Sequence, residues 1–322
     1  MLTIQRKRSA WVWGSVVSMI ILVPKADAFV FQQGSPVVTR EAPAAVEADI
    51  AALAEEHFRL GIAYLNSPAS TKRAVEHLEK AATLNQGNSE YHFKLAEAYA
   101  RDFSFANILR KPFLATRVRS ELELAVKYGP SSIEYREGLI QYYVMAPAIL
   151  GGSYSEARAH ANAMSAYDPY FSLLAHAHIS AEEGDHEKAA ALFMRAIAMR
   201  PGSWQGYQRF GTYCLNVQEV DRAIQQFKAY VDLRPETASS HELLASAYVK
   251  KRMYDDAIAS YLKALEIDAT LTPLLFRIAQ LHEFKGSSGD AIRVYEEYLA
   301  VAPGERLASD ARVRIDELRM DR

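Results

Sequence analysis

Cysteine is nearly missing from this sequence: Cys214 is the only one in 322 residues. One thiol closes no intramolecular disulfide and builds no multi-cysteine metal centre. A surplus of charge is missing too, since 37 Lys and Arg stand against 39 Asp and Glu, for a formal net charge of −2. That balance gives no general electrostatic case for nucleic acid, and none is expected as a partner. Fifteen Gly and 12 Pro are too few for a collagen-like or low-complexity chain. No hydrophobic run reaches the roughly 20 residues needed to span a hydrocarbon core. The rest is the composition of a folded protein, half hydrophobic and 24% charged.

The longest apolar run, Ala10 to Val23, follows Arg6, Lys7 and Arg8 and precedes Pro24 and the small-residue site Ala26-Asp27-Ala28. Basic, apolar and small residues in that order form a cleavable secretory signal, so cleavage is expected near Ala28. The mature chain would then be periplasmic, or secreted, with a charge of about −5, because four basic groups and one acid leave with residues 1–28. Residues 29–47, with Pro36 and Pro43, read as a flexible lead-in, and residues 48–322 as one helical domain.

That domain has a period. An alanine followed four residues later by an aromatic occurs at Ala189/Phe193, Ala223/Phe227, Ala257/Tyr261 and Ala291/Tyr295, each alanine 34 residues after the last. Pro201, Pro235 and Pro303 run in phase, with Ala269 where a further proline would fall. Within each period, apolar residues recur at three- and four-residue steps on both sides of a short polar turn, which predicts two amphipathic helices per unit. Proline ends each pair because it cannot continue the helix ladder.

These residues resemble the tetratricopeptide repeat (TPR). Leu60-Gly61, Tyr64, Ala74, Leu78 and Ala81 fit one unit. Leu95-Ala96, Tyr99, Leu122, Ala125 and Pro130 fit a second with about ten extra residues. Leu139, Tyr143, Ala157, Met164 and Pro169 fit a third with about five. Phe210-Gly211, Leu244-Ala245 and Ile278-Ala279 mark first helices of regular units. The resemblance implies an all-α fold, a right-handed α-solenoid of about seven TPR hairpins. Irregular units would cover 54–169, with insertions near 100–117 and 144–153. Regular units would cover 170–303, and a capping helix 305–322. An AP-x-x-x-GGS segment starting at Ala146 resembles exported bacterial members of this family.

In this family the concave groove, lined by each unit's first helix, is the binding surface. The resemblance places Gln205, Gln208, Thr212 and Asn216 there from the fifth unit, Glu242, Ser246 and Lys250 from the sixth, and Phe276, Gln280 and Phe284 from the seventh. Glu283 would join them, and Glu55, Glu90, Glu97, Glu134 and Glu137 would make the N-terminal groove acidic. Amides, hydroxyls and two phenylalanines suit an extended peptide or a helix of another protein.

Motifs for chemistry are lacking. His186, His241 and His282 each precede a glutamate, but i+4 is Ala190, Ala245 or Gly286 and not the second histidine a zinc protease needs. His178 and Glu182 share a helical face without a third ligand. Neither Gly151-Gly152-Ser153 nor Gly286-Ser287-Ser288-Gly289 continues into a phosphate-binding loop. The expectation is therefore a non-enzymatic exported scaffold or adaptor without cofactor or metal. The alternative is a membrane-peripheral envelope assembly or secretion factor using residues 100–117, where Phe105, Ile108, Leu109 and Phe113 mix with Arg110, Lys111 and Arg117.

Overall fold

The computed structural model describes residues 44–65, 70–304 and 306–320. Among them there are fifteen α-helices and no strand. The leader and nearly all of the lead-in lie outside the described residues. Helix α1 (Ala44–Leu65) begins inside the segment expected to be flexible, because the alanines after Pro43 are strong helix formers.

The chain divides after Ser172 into two compact units. In the first, α1 pairs with α2 (Thr71–Leu84), α3 (Ser89–Phe105) with α4 (Lys111–Tyr128), and α5 (Ile133–Met145) with α6 (Tyr154–Met164). The division falls within α7 (Pro169–Glu183), which precedes α8 (His186–Met199). The second unit continues with α9 (Trp204–Asn216) and α10 (Val220–Leu233), α11 (Ala238–Lys250) and α12 (Tyr254–Ile267), and α13 (Pro273–Phe284) and α14 (Ser288–Val301). Helix α15 (Ala308–Met320) packs on α14. Each unit is thus all-α and built of successive helix pairs, as the repeat requires, and the second ends in a terminal helix.

In unit 2 the core follows the sequence ladder. Ala189, Ala223, Ala257 and Ala291 are fully buried, and Phe193, Phe227, Tyr261 and Tyr295 are buried one turn later. The small side chains let the two helices of a pair approach, and the rings fill the wedge beside the crossing. Gly211 takes this to its limit: a Cβ there would meet the Phe227 ring at 2.6 Å.

The turns inside these pairs repeat as strictly. Asp185, Glu219, Met253 and Ser287 each donate a backbone N–H to the carbonyl five residues back, at Ser180, Cys214, Tyr248 and His282. The residue before each donor has positive φ: Gly184 at 84°, Gln218 at 66°, Arg252 at 61° and Gly286 at 75°. This is a helix-ending turn that glycine suits best, repeated every 34 residues whatever residue occupies it.

In unit 1 the extra residues are absorbed differently in the two long pairs. Helices α3 and α4 have 17 and 18 residues, against 13 and 14 in α9 and α10. Most of the segment 100–117 is therefore added helix, about one turn on each member of the pair. Between α5 and α6 the chain makes a 3-10 turn at Ala148–Leu150 and reverses at Gly151, φ 89°. The turn is fastened by Tyr142 Oη donating to the Leu150 carbonyl at 2.6 Å and by Ser153 N–H donating to Tyr143 at 2.8 Å.

A buried ion pair joins α3 to α4 in unit 1. His92 Nδ1 lies 2.7 Å from Glu121 Oε2, and Nε2 lies 2.9 Å from the Gln86 carbonyl. Both partners are acceptors, so only the imidazolium satisfies both. Burial is the largest influence and disfavours that charge, but the hydrogen bonds to Glu121 and Gln86 together outweigh it and raise the His92 pKa.

Two outcomes follow from this architecture. Gln218→Gly and Arg252→Gly should each stabilise the protein by about 0.5–1 kcal/mol, seen as a higher urea midpoint, because the cost of the left-handed conformation exceeds that of the freer unfolded chain. The His92 contribution has the sign of a raised folded pKa: it is complete below the unfolded value of about 6.5 and is lost as pH rises through the folded value. The melting-temperature advantage of wild type over His92→Asn should therefore shrink from pH 5.5 to pH 8.5, with roughly those limits set by the same linkage.

Candidate protein-binding face

The face is built from the first helices of three consecutive pairs in unit 2. On α9, Gly206, Phe210, Gly211, Tyr213 and Cys214 turn inward, which leaves Gln205, Gln208, Thr212 and Asn216 along the outer side at helical spacing. On α11 the buried set is Ser240, His241, Leu244, Ala245, Ala247 and Tyr248, and Glu242, Ser246 and Lys250 face outward. On α13, Leu274, Leu275, Phe276, Ile278, Ala279 and Leu281 are buried, with Arg277, Gln280 and Phe284 exposed. Helices α9 and α11 touch directly, and Arg277 Nη1 reaches Glu242 Oε1 at 3.4 Å, joining α13 to α11. Nine of the ten residues expected in the groove thus fall on one polar face.

The exception is Phe276. It is 7% exposed and packs edge-on against Tyr295 and Tyr298, with ring centroids 5.2 and 5.8 Å away. Glu242 and Gln208, one and two repeats earlier, are only half-exposed, so this position borders both face and core. A polar side chain at the border turns to water, and an aromatic ring turns inward because burial of its area is favourable. Glu283 is also drawn away from the face. It binds Arg314 of α15 and accepts from Tyr295 Oη; burial would raise its pKa, but these bonds outweigh it and hold the carboxylate below its usual range. Arg277 is the face residue that 34-residue counting misses. Its signal was the step Pro273, Arg277, Gln280, Phe284 between the apolar positions of α13.

The side chains differ in how far they are already engaged. Thr212 Oγ1 donates to the Gln208 carbonyl and Ser246 Oγ to the Glu242 carbonyl, both at 2.9 Å. Gln205, Gln208, Asn216 and Gln280 make no side-chain hydrogen bond among the described residues. Phe284, 67% exposed, stacks on Tyr254 at 5.8 Å and so stands at the turn end of the face.

In unit 1, Glu90, Glu97 and Glu134 are exposed, as an acidic surface requires, but Lys94 sits among them. Its ammonium bonds Glu97 at 2.9 Å, and although burial opposes its charge, Glu97, Glu134 and Glu90 raise its pKa. Glu55 is engaged by Arg59 at 2.9 Å and by Tyr91 Oη at 3.1 Å. The expected acidic groove is therefore partly neutralised from within.

Among the described residues no three His, Cys, Asp or Glu side chains gather as a metal-binding group. His178 and Glu182 both fall on α7. Cys214 is fully buried, and burial pushes its thiol up to about 11.

Two family models, both described as tetratricopeptide repeat, match residues 172–203 and 210–271. Among curated proteins, Superkiller complex protein 3 of Mus musculus is 26% identical over 122 residues, and Tetratricopeptide repeat protein 37 of Xenopus laevis is 24% identical over 125. These stretches are 37% and 38% of this chain but only 8% of each relative. Among solved structures, yeast Tom70 aligns with a TM-score of 0.52 at 16% identity, covering 83% of this chain and 64% of that one. A human IFIT1 dimer with PPP-AAAA aligns with a TM-score of 0.51 at 20% identity, again over 83% and 64%. At such identities the likeness is one of fold. The chain thus carries tetratricopeptide repeats within a helical scaffold fold consistent with protein–protein interaction, and α11 and the second half of α9 lie inside the matched residues, whereas Gln205 and Gln208 fall between the two matches.

Proposed function

We propose that the chain is an exported, non-enzymatic scaffold that binds an extended stretch of another protein, or a peptide, along α9, α11 and α13. The observation that carries this reading is the set of unengaged amides, Gln205, Gln208, Asn216 and Gln280, on adjacent first helices. A primary amide both donates and accepts, so a row of them can pair with the N–H and C=O groups of an extended backbone. Arg277, Lys250 and Glu242 add charge selection, and Phe284 adds an apolar contact at one end.

A non-catalytic role is supported by the state of Cys214, whose buried thiol stays protonated near neutral pH and is a poor nucleophile. Protein is preferred to nucleic acid because the cations of the face, Lys250 and Arg277, are few, Arg277 is bound to Glu242, and the whole chain is slightly acidic. The human IFIT1 dimer with PPP-AAAA indicates that the fold itself does not decide this, so charge is the argument used. Export rests on the order of residues 1–28, with the periplasm or the cell exterior as destination.

A photo-crosslinker at Gln208 or Gln280 in the native cell should give a discrete adduct that a crosslinker at Lys188 on α8 does not. A synthetic peptide from the crosslinked stretch should bind the purified chain about five- to tenfold more weakly after Gln208→Ala with Gln280→Ala, the loss of about one net hydrogen bond. Equal adducts at Lys188, or unchanged affinity in the double variant, would overturn the assignment of the face. Intact mass of the chain from the cell envelope should give Phe29 as the first residue; a chain retaining Met1 in the cytoplasm would remove export.

A further inference from the structure

Two turns between first and second helices in unit 1 leave large apolar side chains in water. Between α3 and α4, Phe105, Ile108, Leu109 and Phe113 are 73%, 64%, 79% and 59% exposed. Between α5 and α6, Ile149 is 92% exposed. The same segment does bury what helical periodicity directs inward, since Phe103 and Leu114 are each 2% exposed. The exposed set is the remainder, and contiguous apolar surface of this kind marks an interaction site more often than chance.

The two helices of a pair run antiparallel and successive pairs in a stack repeat the same orientation, so their internal turns fall along one edge. The contacts agree with this. The Arg119 guanidinium of α4 packs where a side chain on Gly151 would stand, and α4 touches the 3-10 turn. On the other side, Arg101 near the end of α3 donates to the Leu65 carbonyl at the end of α1. The edge also carries Lys72 and Arg73, exposed at the start of α2.

The charge of this edge opposes that of the chain. Residues 101–117 contain Arg101, Arg110, Lys111 and Arg117 against the single carboxylate of Asp102, while the net charge of the whole is −2. Asp102 is itself buried and bound to Arg110 at 2.8 Å. Lys111 and Arg117 lie over the rings of Phe103 and Phe113 at 5.1 and 5.3 Å. Basic heads therefore stand behind and beside apolar tips, the order in which phosphate and acyl layers follow one another in a bilayer. The tips project from two separate turns, a geometry that a fluid planar surface can meet.

We infer that this edge docks unit 1 on an anionic membrane surface, with Phe105, Ile108, Leu109, Phe113 and Ile149 entering the headgroup boundary and Arg110, Lys111 and Arg117 meeting lipid phosphates. The inference concerns a different surface from the peptide-binding face and stands independently of it.

Because Cys214 is buried, a cysteine introduced on the surface can be labelled selectively. Full chains carrying Ile108→Cys, Ile149→Cys or, as control, Lys188→Cys are labelled with an environment-sensitive dye and mixed with phosphatidylcholine vesicles, with or without roughly 30% phosphatidylglycerol, a content that gives a negative surface potential. The expected result is a blue shift at both edge positions, at least about fivefold stronger partitioning to the anionic vesicles, and no change at the control. The combined variant Phe105→Ser, Ile108→Ser, Leu109→Ser and Phe113→Ser should keep its helicity and lose about tenfold or more of vesicle binding. It retains residues 1–28, so any affinity of the leader is common to both proteins. No shift at the edge, an equal shift at the control, a shift at position 108 without one at 149, or undiminished binding of the serine variant would each overturn the proposal. So would dye shifts that occur without vesicles and track a concentration-dependent increase in mass, which would make the edge a contact between protein molecules.

Discussion

Each helix pair of the second unit closes because a methyl group, or only a hydrogen, stands at the crossing point. At Ala189, Ala223, Ala257 and Ala291 the second helix comes down on the first with nothing larger to hold it off, and at Gly211 even a methyl would collide with Phe227. The aromatic one turn later then wedges the pair open at a fixed angle. Every later position inherits that geometry. The next first helix arrives in the same relation to its neighbour, which is how Gln208, Glu242 and Arg277 come to lie on one surface although their sequence neighbourhoods have little in common.

The ladder of small and aromatic residues was fully legible in the sequence, because burial dictates residue type most strictly where helices cross. The turns were not legible in the same way. Gly184 and Gly286 carry the usual mark of a left-handed residue, whereas Gln218 and Arg252 adopt the same backbone with no such mark. Packing on either side imposes that conformation and the local chain bears the strain. Border positions were the other source of error. Counting by repeats finds the position of Phe276, but the direction its side chain takes depends on its own chemistry, and the neighbouring Arg277 occupies the surface in its place.

The long pairs of the first unit follow the same logic. Phe103 continues the inward stripe of Leu95, Ala96 and Tyr99, and Leu114 and Ala115 open the stripe that Leu122 continues, so the added turns were encoded as helix. Asn107 and Pro112 are residue types common in loops. Pro112 in fact lies in the first turn of α4, where its missing N–H would have had no partner.

Glu283 connects two regions that otherwise have separate roles. Its carboxylate is held on one side by Arg314 of α15 and on the other by Tyr295, while its backbone belongs to the helix that presents Gln280 and Phe284. Helix α15 is thereby tied to the polar face. Whatever engages Arg314 of α15 from outside also acts on the charge balance of α13, so the last helix of the array and the helix that presents Gln280 and Phe284 answer to the same arginine.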